Sequence, residues 1–296
     1  MKTKGKSINL YLLDGTVNGC VKCSLMNWTG VAYKIPRTEL DRCKDRSDLK
    51  QSGVYFLFGT SDDSGNDVVY IGQAGSRKNG EGILYRLQEH KRNQAKGYWT
   101  EAVVFTTSNN ALGPTEISFL ENRFYNLAKE AKRYEVKNEN DPTLGNITEE
   151  KESELEEFID NAEVIMGALG HKVFIPFDEN PSQNNGQKEE TSELGVFKLK
   201  SKNALGIGRR TSEGFVLVEG SLINPSVVNS CPKTTLKSRA KYAGLIDKNN
   251  KLTKTILLSS PSAAASFVTG TSINGMITWK NEAGLSLKEL ELLATG

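Results

Sequence analysis

Five consecutive residues, Val54-Tyr55-Phe56-Leu57-Phe58, are apolar and favour extended backbone. A short apolar run without polar alternation predicts a strand covered on both faces. Such a strand needs partners in a sheet and a layer on each side of it. The sequence supplies a first partner at once: Gly59 to Asp67 is turn chemistry, and Val68-Val69-Tyr70-Ile71 is a second β-rich run. The pair reads as an antiparallel hairpin. Gly72 to Gly82 follows as a Gly-rich loop, and Ile83 to Ala95 reads as a helix with Ile83, Leu84 and Leu87 on one side. Tyr98 to Thr106 is a third strand. Thr115 to Lys132 is an amphipathic helix with Ile117, Leu120, Phe124, Leu127 and Ala131 at helical spacing. This order predicts an α+β domain around a small central sheet.

The flanking segments divide the chain further. Residues 1–48 read as an N-terminal extension, with strands at Ile8–Leu13 and Val31–Ile35 and a short helix from Arg37 to Arg46. The α+β domain spans 49–177 and ends with a charged helix, Glu149–Leu169. Residues 178–193 (DENPSQNNGQKEETSE) are a polar linker. A second small α+β domain, 194–296, has successive strands in 195–219, a basic and partly helical stretch from Ser230 to Ala243, and an Ala-rich helix capped by Ser.

No run of about 18 apolar residues is present, so no transmembrane helix is expected. The basic N-terminus lacks a following apolar run, and a cytoplasmic location is the expectation. The formal net charge is +2, which argues for no nucleic-acid partner by itself. Binding to DNA would require local clustering of lysine and arginine. Cys20-Val21-Lys22-Cys23 has the spacing of half a zinc site, but no second pair matches it. These cysteines are read as reduced thiols.

Within the first domain, Tyr55, Tyr70, Arg86, His90, Glu121 and Asn138 occur in that order. Arg86 and His90 are four apart on a predicted helix and project from one face. Phosphodiester hydrolysis needs a water, a base, charge stabilisation at phosphorus and help for the leaving oxygen. Magnesium takes only one or two carboxylates besides waters and phosphate, so Glu121 suffices in principle. Arginine offers two-point contact to phosphate and stays charged. Taken singly, a strand Tyr reads as core or surface filler, and the Arg86–His90 pair and Glu121 read as solvated helix faces.

Gly53-Val54-Tyr55, Tyr70-Ile71-Gly72, Arg86-Leu87-x-x-His90, Leu120-Glu121 and Asn138 resemble the pattern of the GIY-YIG nuclease family over roughly residues 50–140. The resemblance implies a three-stranded antiparallel sheet flanked by helices. It implies that Glu121 holds Mg²⁺ or Mn²⁺, that Tyr55 or His90 deprotonates or positions the water, that Tyr70 supports the base or the phosphate, and that Arg86 stabilises charge there. Gly72 would keep the strand end open to nucleic-acid backbone, and Asn138 would brace the site. The family often carries a lysine soon after its second triplet. Gln73 stands here, and Arg77 and Lys78 are the nearest basic residues.

The C-terminal domain resembles a small module found after GIY-YIG domains. Its string Ser260–Ala265, Gly270, Asn274-Gly275 and Trp279-Lys280 is similar to RAMA domains proposed to read modified DNA. The resemblance gives Trp279 a role in stacking on a base, with Lys280 beside it; a core role for Trp279 is the alternative. Lys233 to Lys241 either touches phosphates or forms a solvated helix face. The expectation is a metal-dependent endonuclease acting on DNA. A non-cleaving nucleic-acid-binding protein is the alternative, and an RNA target stays open.

Overall fold

The computed structural model describes residues 5–61, 65–75, 82–93, 96–177 and 195–295. Two compact units result, Met1–Pro176 and Phe177–Gly296. The stretch 178–193 lies outside the described residues.

The first unit is built on β1 (Ile8–Leu12), β2 (Val21–Leu25), β3 (Gly30–Pro36), β4 (Gly53–Thr60), β5 (Asp67–Ala74), β6 (Trp99–Thr107) and β7 (Glu135–Val136). They form one seven-stranded sheet in the order β1-β2-β3-β6-β4-β5-β7. All neighbours are antiparallel except β5 and β7. The expectation of three strands is corrected. β4, β5 and β6 are the centre of a wider sheet, and residues 1–48 supply three of its strands. The cause is visible in β6, which is buried from Ala102 to Thr107. A buried strand cannot leave one edge of N–H and C=O groups unpaired, and β3 fills that edge from Gly30↔Thr107 to Pro36↔Glu101.

The apolar run that predicts a doubly covered strand is β4. Phe56 and Phe58 face α2 (Pro114–Ala131) and α3 (Glu149–Ala168), in a core that includes Phe105, Phe124, Phe158 and Phe174. Tyr55 and Leu57 face α1 (Ile83–Arg92) and two 3-10 helices, Arg37–Cys43 and Ser47–Lys50. Val173 and Phe174 close the first core from a turn, with Phe174 5.3 Å from Phe124. The Cys20-x-x-Cys23 spacing is no metal half-site. Cys23 belongs to the α2–α3 core and Cys20 to the opposite one, where its Sγ lies 3.5 Å from that of Cys43.

The second unit has a four-stranded antiparallel sheet, β11-β10-β9-β8, from β8 (Phe197–Ser201), β9 (Ala204–Thr211), β10 (Gly214–Leu217) and β11 (Ile256–Leu258). Its helices are α4 (Lys233–Lys241), α5 (Pro261–Thr269), α6 (Gly275–Thr278) and α7 (Leu287–Thr295). Ser260 caps α5, its Oγ accepting from the Ala263 N–H at 3.1 Å. Arg239 on α4 donates to the carbonyls of Phe267 and Asn224, both at 2.9 Å. It satisfies the C-terminus of α5 and is unavailable to a phosphate.

Candidate active site

β4 and β5 pair in register, with Tyr55 opposite Gly72 and Leu57 opposite Tyr70. Tyr55, Tyr70 and Gly72 therefore share the face covered by α1. On α1, Arg86 and His90 lie one turn apart, as their spacing predicts. The four side chains converge. The Tyr55 hydroxyl is 2.7 Å from His90 Nε2 and accepts a hydrogen bond from the Arg86 guanidinium. The Tyr70 ring lies 6.3 Å from that of Tyr55 and 5.3 Å from that of His90. Arg86 also donates to Glu89 Oε2 at 2.7 Å.

Gly72 does not hold the strand end open to nucleic acid. It is buried, and the phenol of Tyr55 occupies the space a side chain would take: a Cβ at position 72 would stand 2.4 Å from the Tyr55 hydroxyl. The glycine serves the tyrosine.

Glu121 lies on α2, the opposite layer, and reaches the site around the outer edge of β5. That edge is finished residue by residue, with period two. The Lys137 N–H donates to the Val69 carbonyl at 2.8 Å. The Asn138 amide then imitates a strand: its Oδ1 accepts from the Ile71 N–H at 3.0 Å and its Nδ2 donates to the Ile71 carbonyl at 2.7 Å. At the next outward position, the Gln73 N–H and side chain donate to the Glu121 carboxylate. Asn138 thus braces β5, and its amide is spent on backbone rather than offered to a ligand.

Burial sets the charges. Desolvation, with Lys96 and Arg86 nearby, holds the His90 pKa down at about 4, so the imidazole is neutral at physiological pH. Desolvation raises the Tyr55 and Tyr70 hydroxyls, and Glu121 adds to both shifts. Desolvation also raises the Glu121 carboxyl, against the Gln73 hydrogen bonds and Arg86. The ion pair with Glu89 pushes Arg86 further up, so it stays charged.

Glu121, the Gln73 amide and the Ser118 hydroxyl are hard oxygen donors, and Gln73 Nε2 lies 3.2 Å from Ser118 Oγ. One carboxylate among neutral oxygens fits a magnesium that keeps most of its waters. Among the described residues no group of three or more His, Cys, Asp or Glu is placed to hold a metal, so a tightly caged ion is not what this donor set offers.

Lys96 is absent from the sequence pattern, yet its Nζ stands 3.3 Å from the centroid of the Tyr70 ring. Desolvation and Arg86 lower its pKa to about 8. Arg37, from the leading segment, fixes this turn by donating to the carbonyls of Lys91, Lys96, Gly97 and Trp99 at 3.0–3.3 Å. Nothing in the local sequence marks either residue. Gln73 is signalled by standing where the resembled family often has a lysine and by lying two residues beyond Ile71; its contact with Glu121 is not. Arg77 and Lys78 lie outside the described residues.

In the second unit, Trp279 is not a stacking platform. It is fully enclosed, 4.6 Å from Phe215, and its indole N–H donates to the Pro261 carbonyl at 2.9 Å. An enclosed ring has no face free for a base. The rest of the string packs on itself: the Gly275 N–H donates to Ser262 Oγ at 3.0 Å, and a Cβ at 275 would stand 2.2 Å from Pro261 C. Lys280 is exposed.

Residues 197–291 match the model of a domain of unknown function, DUF4357. No curated protein and no solved structure matches the chain. No helix among the described residues is long and apolar enough to cross a membrane.

Proposed function

We propose that the first unit is a metal-dependent endonuclease of GIY-YIG type acting on DNA, and that the second unit recognises DNA or a DNA modification. The observation that carries this reading is the convergence of Tyr55, Tyr70, Arg86 and His90 where Glu121 rounds the edge of β5. In this reading Arg86 engages the scissile phosphate and offsets its growing charge. Neutral His90 holds the Tyr55 hydroxyl, so a proton taken by Tyr55 from the attacking water is matched by one passed from Tyr55 to Nε2. Tyr70 flanks the same water. Magnesium or manganese on Glu121 would supply positive charge at the phosphate and the leaving oxygen.

A second reading, a nucleic-acid-binding protein that does not cut, is supported by the Arg86–Glu89 pair at 2.7 Å, which occupies the arginine. Plasmid nicking with Mg²⁺ separates the two. Wild type nicks while Glu121→Ala and Arg86→Ala do not if the first reading holds; equal products from all three sink it.

A further inference from the structure

Residues 195–296 contain fourteen Lys and Arg against six Asp and Glu, an excess of eight positive charges, whereas the whole chain is +2. The positive charge is therefore concentrated in residues 195–296. Part of it is ordered on one face of the sheet. In β8, Phe197 and Leu199 point into the core while Lys198 and Lys200 point out. Lys280 is bonded to Lys198 in both directions, at 2.8 and 3.1 Å, as an antiparallel bridge. Directly opposed residues share a face, so Lys280 joins the outward row. Across the sheet Lys198 meets Ile207 and Lys200 meets Leu205, both half-buried.

The three lysines line an open groove of 720 Å³ with Thr278 and Asn281. The groove's carboxylate is Glu282, 3.9 Å from Lys198 with an 85% exposed side chain. Against one solvated carboxylate, the three ammonium groups leave a net excess of two positive charges. Lys198 and Lys200 are about 7 Å apart along the strand, a span equal to about two steps of duplex axial rise at ~3.4 Å each.

We propose that this groove docks on the phosphate backbone of duplex DNA; the inference rests on the DNA-directed reading above and assigns its positioning contact. Phosphate contacts of this kind set register and affinity without reading bases.

The test uses the full chain carrying Glu121→Ala, so that no cutting intervenes, and a fluorescein-labelled duplex of about 30 base pairs followed by anisotropy over a salt series. Lys198→Glu/Lys200→Glu is compared with Lys233→Glu/Lys237→Glu, the same charge change on exposed positions of α4. The groove variant is expected to bind about tenfold more weakly or worse, with a salt slope shallower by about 2, and the α4 variant to change less than about threefold. Lys198→Gln/Lys200→Gln, with an unchanged melting temperature, guards against misfolding and is expected to show the same shallower slope. Equal weakening by the two charge reversals overturns the groove, as does parental affinity in the groove variants. Equal affinity for poly-glutamate overturns the duplex as occupant. If the parent binds no duplex, the DNA reading fails and this inference with it; if the parent binds and only the groove variants are silent, this inference fails alone.

Discussion

Gly72 lies opposite Tyr55 in the β4–β5 ladder, and a Cβ there would stand 2.4 Å from the Tyr55 hydroxyl. Gly72→Ala must therefore displace a ring that holds both His90 and Arg86. Overpacking of this kind costs about 1–3 kcal/mol, to be read by urea denaturation. Nicking should fall much further than the folded fraction does, because the displaced hydroxyl leaves His90. Full activity in a destabilised Gly72→Ala protein would show that Tyr55 is only scaffolding.

Glu121 is a carboxylate whose burial works against its charge. Its folded pKa is raised, so the charged form costs stability above that pKa and the cost disappears as pH falls through it. Glu121→Gln is thus expected to be at least as stable as wild type in EDTA at neutral pH while losing nicking. Mg²⁺ should raise the melting temperature of wild type and leave that of Glu121→Gln unmoved, since only a folded state that binds the ion gains from it.

His90 titrates near 4 in the folded protein against an ordinary 6.5. A depressed pKa means that the unfolded chain binds the proton first, so stability is complete above pH 6.5 and is lost as pH falls toward 4. The loss is on the order of 3 kcal/mol at most. Melting temperatures taken in this window should drop for wild type, and His90→Gln should lack that segment of the curve. Parallel curves for the two proteins would contradict a buried, neutral imidazole.

Lys96 holds its charge below about pH 8 and loses it above. If its ammonium over Tyr70 supports the reaction, the nicking rate of wild type declines as pH rises through 8. Lys96→Gln should abolish that limb and lower the plateau roughly tenfold or more, at the weak end for one electrostatic contact. Lys96→Arg should keep the plateau and shift the limb upward. A wild-type profile flat through pH 9 would exclude the role.

What the chain discloses in advance follows the range of the forces involved. The β4–β5 hairpin, α1 and α2 are legible because their periodicities and turn residues are local. Tyr55, Tyr70, Arg86, His90 and Glu121 come within reach only through the resemblance of their ordered motif to the GIY-YIG pattern, since order and spacing alone point to no site. The pairing of β3 with β6 joins Gly30 to Thr107, and no local pattern encodes so distant a partner. Lys96 is hidden for the same reason, since its place over Tyr70 depends on the carbonyls that Arg37 gathers. For Trp279 the sequence carries two readings, a stacking platform beside Lys280 and a core residue; the enclosed ring with its N–H satisfied by Pro261 makes it a keystone of the core. Trp279→Ala should cost about 3–5 kcal/mol in the second unit.

Arg37 stands outside the stretch that bears the motif, yet it ties down the turn that presents Lys96. A graft of residues 49–177 onto another scaffold would carry both tyrosine triplets, the arginine, the histidine and the glutamate. It would arrive with the exposed edge of β6 bare and its ammonium adrift. The heritable unit of this site is therefore longer than its signature, and shuffling at the apparent boundary would transmit the letters without the grip that makes them act together.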